Sequence, residues 1–326
     1  MSKIKLGIGL YSCPTSDHNR VVSYIKGDDD VDKLIVTLDQ QLKALTDHIK
    51  AAKIPGFGVQ GIFVAPEYMF SAGDGKTNNR GVDDYMKDKI VEKLKKLSLK
   101  YSNIVFIPGS ICWQTSALGQ GVANISMGGT LSVDQAKKAI PAVKAKQNWQ
   151  NPVANKVGFA KDLGSSKASA LDSKKATGDN VKAKFQKNTV FIFHQGKLLG
   201  EHSKSSDYDE SNKDNVYHVA DPYPGLHQVK THKGYVNIGI EVCLDHDCDT
   251  LYNWVNDPSG GNQKPHLHVI ASAAVQPKRF ACKANGYFLH ASSHPSFTML
   301  YDPAQGKVVK SLNKPDLLLD TVEMDV

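Results

Sequence analysis

The chain has 326 residues, 40% of them hydrophobic and 8% aromatic, and a formal net charge of +7. A chain of that length buries a substantial core and fits one large α/β domain, and the composition reads as soluble and globular. Five scattered cysteines (Cys13, Cys112, Cys243, Cys248 and Cys282) are odd in number, which argues against a disulfide framework and for free thiols in a reducing compartment.

Taken in chain order, Lys5–Tyr11 reads as a first strand; the N-terminal apolar run is too short for a signal peptide and is broken by Lys5. No run reaches the length of a membrane span, so a cytoplasmic address is expected. From Val31 to Ala52, Leu34, Ile35, Leu38, Leu42, Leu45 and Ile49 recur at helical spacing, and Pro55-Gly56 stops the helix. Gly61–Ala65 is a buried strand. Tyr85–Tyr101 is a second amphipathic helix, with Ile90, Leu94 and Leu97 opposite its lysines. Asn103–Pro108 is a third strand. Strands alternating with helices predict a buried sheet with helices outside it.

Apolar periodicity fails from about Ser116 to Gln186, where Gly, Ala, Ser and Lys dominate. A structureless stretch that long is unusual within a compact domain. It is read as an insertion, with partial helix and a strand near Gly121–Ser126, in a single domain over 1–326. Residues 137–187 hold twelve Lys against three Asp, a charge of +9, so the remainder carries −2. Strands resume at Thr189, Tyr235, Leu267 and Phe297–Tyr301, and the strands flanking the insertion have to meet in one sheet.

Three segments deliver chemistry to a strand end. Ile238-Gly239-Ile240-Glu241-Val242 leads to Cys243, followed at once by Leu244, Asp245 and His246. Open α/β sheets place their sites at such ends, and a thiol there acts as a nucleophile once a base takes its proton. Ile62-Phe63-Val64-Ala65-Pro66 leads to Glu67, a carboxylate among apolar neighbours (Tyr68, Met69, Phe70) suited to general-base work. Val190-Phe191-Ile192-Phe193, a Gln195-Gly196 turn and Leu198-Leu199-Gly200 lead to Lys204, whose ammonium could hold an oxyanion.

In that order these segments resemble the nitrilase (carbon–nitrogen hydrolase) superfamily. The matching motifs are Pro66-Glu67, Asn188-Thr189 with its strand and Gly200 to Lys204, and Gly239-Ile240-Glu241-Val242-Cys243-Leu244-Asp245. Pro224-Gly225, Val269–Ala273, Asn285–Phe288 and Ser296–Gly306 are further echoes. The lysine context departs from the family's aromatic-Arg-Lys-x-His, being His202-Ser203-Lys204-Ser205-Ser206. The resemblance implies an α/β fold, a four-layer α-β-β-α sandwich, and a Glu67-Lys204-Cys243 triad that hydrolyses a linear amide or nitrile through a thioester. It implies oxyanion or substrate contacts from Leu244, Tyr68, Asp245 and His246. Asp209 and Glu210 stand nearest to the family's second Glu. No cofactor and no metal are expected, and the expected partners are a small amide or nitrile substrate and a second copy of the chain.

Two other readings compete with this one. Cys243, His246, Cys248, His266 and His268 are zinc-type ligands at a spacing matching no common zinc pattern, and Asp245-x-Asp247-x-Asp249 lacks the glycine and glutamate of a calcium loop. A non-enzymatic binder of nucleic acid or another anionic ligand would use the basic insertion, yet that segment interleaves only Trp149, Phe159 and Phe185 with its lysines and has no Arg.

Overall fold

The structure is a computed structural model that describes residues 2–17, 20–21, 25–72, 80–116, 184–206, 216–218, 221, 225–258, 263–312 and 316–326. Nearly all of the 116–186 insertion lies outside the described residues, including the strand expected near 121–126, and so do Asp209, Glu210 and Pro224.

Strands alternate the faces of their side chains, and here the alternation builds two cores. In β1 (Lys3–Tyr11), Ile4, Leu6, Ile8 and Leu10 point one way, with Ile62 and Val64 of β4 (Gly61–Val64) and Val105 and Ile107 of β6 (Ile104–Ile107). They share one buried cluster with Ile238, Ile240 and Val242 of β12 (Tyr235–Val242) and Val269 and Ala271 of β13 (Leu267–Ser272). That cluster is the seam between two sheets. The opposite face of the first sheet carries Phe63, Ile104, Phe106, Phe191 and Phe193. It is covered by α1 (Asp28–Ala51) and α2 (Asp84–Lys100) through Leu38, Leu42, Leu45, Ile90 and Leu94. Acidic Asp28, Asp29 and Asp30 open α1 and His48 and Lys50 close it, matching the helix dipole, and the Asp83 side chain caps α2 by accepting from the Met86 N–H at 2.8 Å.

The first sheet has nine strands in the order β17 (Leu317–Asp325), β1, β4, β6, β8 (Lys184–His194), β7 (Ser110–Ser116), β5 (Val82–Asp83), with β9 (Lys197–Ser203) and β10 (Val216–His218) also on β8. The second has six: β11 (Gly225–Lys230), β12, β13, β14 (Tyr287–Ser292), β15 (Met299–Asp302) and β16 (Lys307–Ser311). A two-stranded ribbon, β2 (Ser16–Asp17) and β3 (Arg20–Val21), stands apart. The strands flanking the insertion do meet: β7 and β8 pair antiparallel from Ser110↔Val190 to Ser116↔Lys184. β12, β13 and β14 run parallel, so the chain end of each opens at the same edge of the sheet.

The architecture is therefore mixed α/β with two packed sheets. On the outer face of the second sheet, Gly239 leaves room for Leu251 of a six-residue helix, Thr250–Val255, which follows the four-residue turn of helix Leu244–Asp247. Among the described residues these short helices stand where the expected four-layer sandwich has a full helical layer. No helix among them is long and apolar enough to cross a membrane.

The turn after β6 shows how tightly the site region is built. Gly109 has φ +85°, and a Cβ there would lie 2.1 Å from the Pro66 carbonyl oxygen. Gly109→Ala therefore strains the backbone and displaces the Pro66-Glu67 turn. A loss of more than about 1 kcal/mol is expected, read as a lower urea midpoint at unchanged slope.

Candidate active site

Glu67 sits on a turn fixed at every backbone group. Its N–H donates to Ser272 O at 3.3 Å, its carbonyl accepts from the Thr15 hydroxyl at 2.6 Å, and the next N–H, of Tyr68, donates to Ser110 Oγ at 2.8 Å. Tyr68 takes φ 58°, uncommon for a bulky residue. The Glu67 side chain is fully buried. Its Oε1 accepts from Lys204 Nζ at 3.0 Å and from Asn188 Nδ2 at 2.8 Å, and its Oε2 accepts from the Ala273 N–H at 3.1 Å.

Lys204 follows β9, tied to β8 by its own N–H, which donates to Asn188 O at 2.8 Å. Its ammonium lies 5.8 Å from the centre of the Tyr68 ring, and the Tyr68 hydroxyl accepts from Arg80 Nη1 at 3.1 Å. Cys243 ends β12, where its N–H donates to Ala271 O of β13 at 3.0 Å. Its φ of 47° and ψ of −103° are strained for a residue with a Cβ, a cost on the order of 1–3 kcal/mol that surrounding structure must hold in place. The Cys243 thiol hydrogen-bonds the Glu67 carboxylate. Burial first, then the negative charge of Glu67, push the thiol well above its ordinary range, while Lys204 pulls the other way. At neutral pH the sulfur is a thiol with a carboxylate beside it.

The structure thus brings Glu67, Lys204 and Cys243 together from three distant segments, with Tyr68 against the lysine. It turns Asp245 and His246, expected at the substrate surface, inward. Asp245 is fully buried, its Oδ1 accepting the N–H groups of Ser205 (2.9 Å) and Ser206 (2.8 Å) and its Oδ2 that of Val242 (3.4 Å). It clamps the lysine loop to the nucleophile turn. His246 is buried against Glu241, Nδ1 to Oε2 2.9 Å. Leu244 opens the short helix after Cys243. In the sequence Asn188 and Glu241 stand out only as members of their motifs, and nothing there singles out Arg80. A groove of about 580 Å³ lined by Phe57, His194, Leu199, Val229 and Tyr235 shares no residue with this cluster.

No protein-family model matches the chain, and no curated protein matches it. Among solved structures it is similar to glutamine-dependent NAD+ synthetase from Acinetobacter baumannii in complex with adenosine diphosphate, at 8% identity and TM-score 0.45 over 98% of this chain and 46% of that one. It is also similar to a glutamine-dependent NAD(+) synthetase from Cytophaga hutchinsonii, at 11% identity and TM-score 0.42 over 99% of this chain and 43% of that one. The chain spans less than half the length of either, and likenesses this slight do not show a shared fold.

Two measurements probe the frame of the site. Asp245→Asn sets an amide NH2 against backbone N–H groups in whichever orientation it takes. A loss of about 1–3 kcal/mol is expected, with faster amide exchange at Ser205 and Ser206. An unchanged urea midpoint would show that the clamp needs no second acceptor oxygen. His290 is buried beside Ser272 (Nε2 to Oγ 2.6 Å), and burial pushes its imidazole down to about 3. The folded value lies below the ordinary one of about 6.5, so the neutral ring's contribution is complete above that pH and is lost as pH falls toward the folded value. Stability should drop by up to about 1.4 kcal/mol per pH unit below about 6.5 on this account, and His290→Gln should flatten that slope in urea titrations at stepped pH.

Proposed function

We propose that the chain is a cysteine-dependent hydrolase of a non-peptide carbon–nitrogen bond, an amidase acting on a small linear amide. One observation carries the reading: the thiol of Cys243 and the ammonium of Lys204 share a single buried carboxylate, Glu67. A nucleophile, a base and a cation that converge, the base and the cation buried and the sulfur half-buried, are the parts acyl transfer needs. The reading includes one domain over residues 1–326, a sandwich of the carbon–nitrogen hydrolase type, and the lysine-rich insertion as an excursion from it.

In this mechanism Glu67 takes the thiol proton as the sulfur attacks the substrate carbonyl. A raised thiol fits proton transfer that accompanies attack rather than a preformed thiolate. The tetrahedral oxyanion is held by the Lys204 ammonium and the N–H of Leu244. Collapse breaks the C–N bond, and Glu67 returns the proton to the leaving amine. Water, deprotonated by Glu67, then attacks the Cys243 thioester, and the acid leaves as the thiol re-forms. Every step uses protein groups and water.

The test is turnover on a panel of amides with trapping of the acyl-enzyme by mass spectrometry. Cys243→Ala should abolish turnover while the fold persists. Glu67→Gln and Lys204→Ala should each lower turnover at least about a hundredfold, the scale of general-base and oxyanion contributions. Turnover retained without the Cys243 sulfur would end this mechanism.

A further inference from the structure

Glu241 stands two residues before Cys243 on β12, and its side chain leaves the face opposite Ile240 and Val242. It is nevertheless buried, 1% exposed. Its Oε1 accepts from the Leu251 N–H at 2.7 Å, and its Oε2 from His246 Nδ1 at 2.9 Å and His268 Nε2 at 2.8 Å. One carboxylate and two imidazoles, with ligand atoms within 4.8 Å of one another, have the make-up of a metal site. The outer ring nitrogens decide otherwise. His246 Nε2 accepts the Lys278 N–H at 3.0 Å, and His268 Nδ1 accepts the Ala281 N–H at 3.1 Å. A nitrogen that accepts from an N–H carries no proton, so each neutral ring has its proton on the inner nitrogen, aimed at Glu241. A metal-bound histidine ordinarily donates its outer N–H to an acceptor, and here both outer partners are donors. The set is a carboxylate filled by three donors.

That arrangement grips the chain on both sides of the nucleophile. Glu241 precedes Cys243, His246 lies in the helical turn after it, and Leu251 lies in the first turn of the next helix, so residues 241–251 form a loop closed on one carboxylate with the strained Cys243 inside it. His268 ties the same carboxylate to β13, the strand that gives Ala271 O to the Cys243 N–H and leads to the Ala273 N–H on Glu67. Strained backbone persists only where its surroundings over-determine it. We propose that Glu241 is a positioning residue that, through His246 and His268, locks the Cys243 turn in its strained form and so holds the sulfur against Glu67. Its catalytic consequence rests on the hydrolase reading, whereas the lock itself is a statement about the thiol.

The readout is therefore the rate of Cys243 alkylation by iodoacetamide, resolved by peptide mass spectrometry on the full chain, with folding followed by circular dichroism and thermal melting. Glu241→Gln keeps the shape but must point an NH2 at Leu251 N–H or at the two imidazole N–H groups. Release of the turn takes the sulfur from its base, and alkylation should slow at least about fivefold, the effect of roughly one buried unsatisfied donor. His268→Gln keeps an amide N–H where Nε2 donates and should stay near the wild-type rate. His268→Leu keeps apolar bulk alone and should fall with Glu241→Gln; this histidine pair decides the matter if Glu241→Gln does not fold. A packing role predicts the reverse order, with Leu tolerated and Gln not. A folded Glu241→Gln protein alkylated at the wild-type rate or faster overturns the proposal. So does one equivalent of metal per purified chain that Glu241→Gln loses. Wild-type protein that hydrolyses no amide would sink the hydrolase reading and leave this result standing.

Discussion

At the centre of the molecule an ammonium and a carboxylate face each other with no access to water. Taking each charge out of solvent costs several kcal/mol, and contact between them offsets this only when their remaining hydrogen-bonding capacity is also met. For Glu67 and Lys204 it is met by Asn188 from β8 and by the Ala273 N–H beyond β13, with the Tyr68 ring over the lysine. These partners belong to both sheets, so the pair is satisfied only when the sheets are docked. A buried ion pair of this kind is a poor source of stability, and the fold's apolar seam carries that load. On the proposed function, the pair supplies the base and the cation of the reaction.

The precision of the site comes from backbone groups more than from side-chain packing. Glu67 is held by Ser272 O and Thr15, Lys204 by Asn188 O, and Cys243 by Ala271 O. Asp245 joins the lysine loop to the nucleophile turn through three N–H groups. Backbone donors and acceptors cannot change rotamer, so each link fixes position as well as satisfying a polar group. Segments far apart in sequence are thereby held to hydrogen-bond distances.

Much of the first sheet was legible, because β1, β4 and β6 and helices α1 and α2 each show one clean period, and their observed bounds lie within a few residues of the expected ones. β7 and β17 were not. Gln114 in β7 and Asp320 in β17 break the apolar signal, and their place comes from long-range pairing, β17 running beside β1 from Lys3↔Asp325 to Tyr11↔Leu317. The order of Glu67, Lys204 and Cys243 was visible, but the facing of Asp245 and His246 was not, since a strained turn breaks the alternation on which such inferences rest. Glu241 is the clearest case. It lies on the face of β12 opposite Ile240 and Val242, and that face is covered by His246, Leu251 and His268, which bury its carboxylate. A sequence shows that a strand has two faces, and only the later chain decides whether the second is covered.

The two buried carboxylates near the nucleophile are satisfied in different ways, and the difference bears on the proposed chemistry. Glu241 has three donors; burial works against its charge, but the His268 and His246 donors outweigh it and hold its carboxyl well below the usual range. That acid has no proton to trade and its geometry is closed. Glu67 faces a cation on one side and a proton-bearing sulfur on the other. Its hydrogen bond to the thiol can be exchanged for a bond to a proton when an electrophile reaches the sulfur. Until then the sulfur is protonated, and susceptibility to oxidation follows thiolate character. On the proposed mechanism, the surroundings that make Cys243 a weak acid thus keep the resting sulfur protonated and leave its proton to Glu67 at the moment of attack.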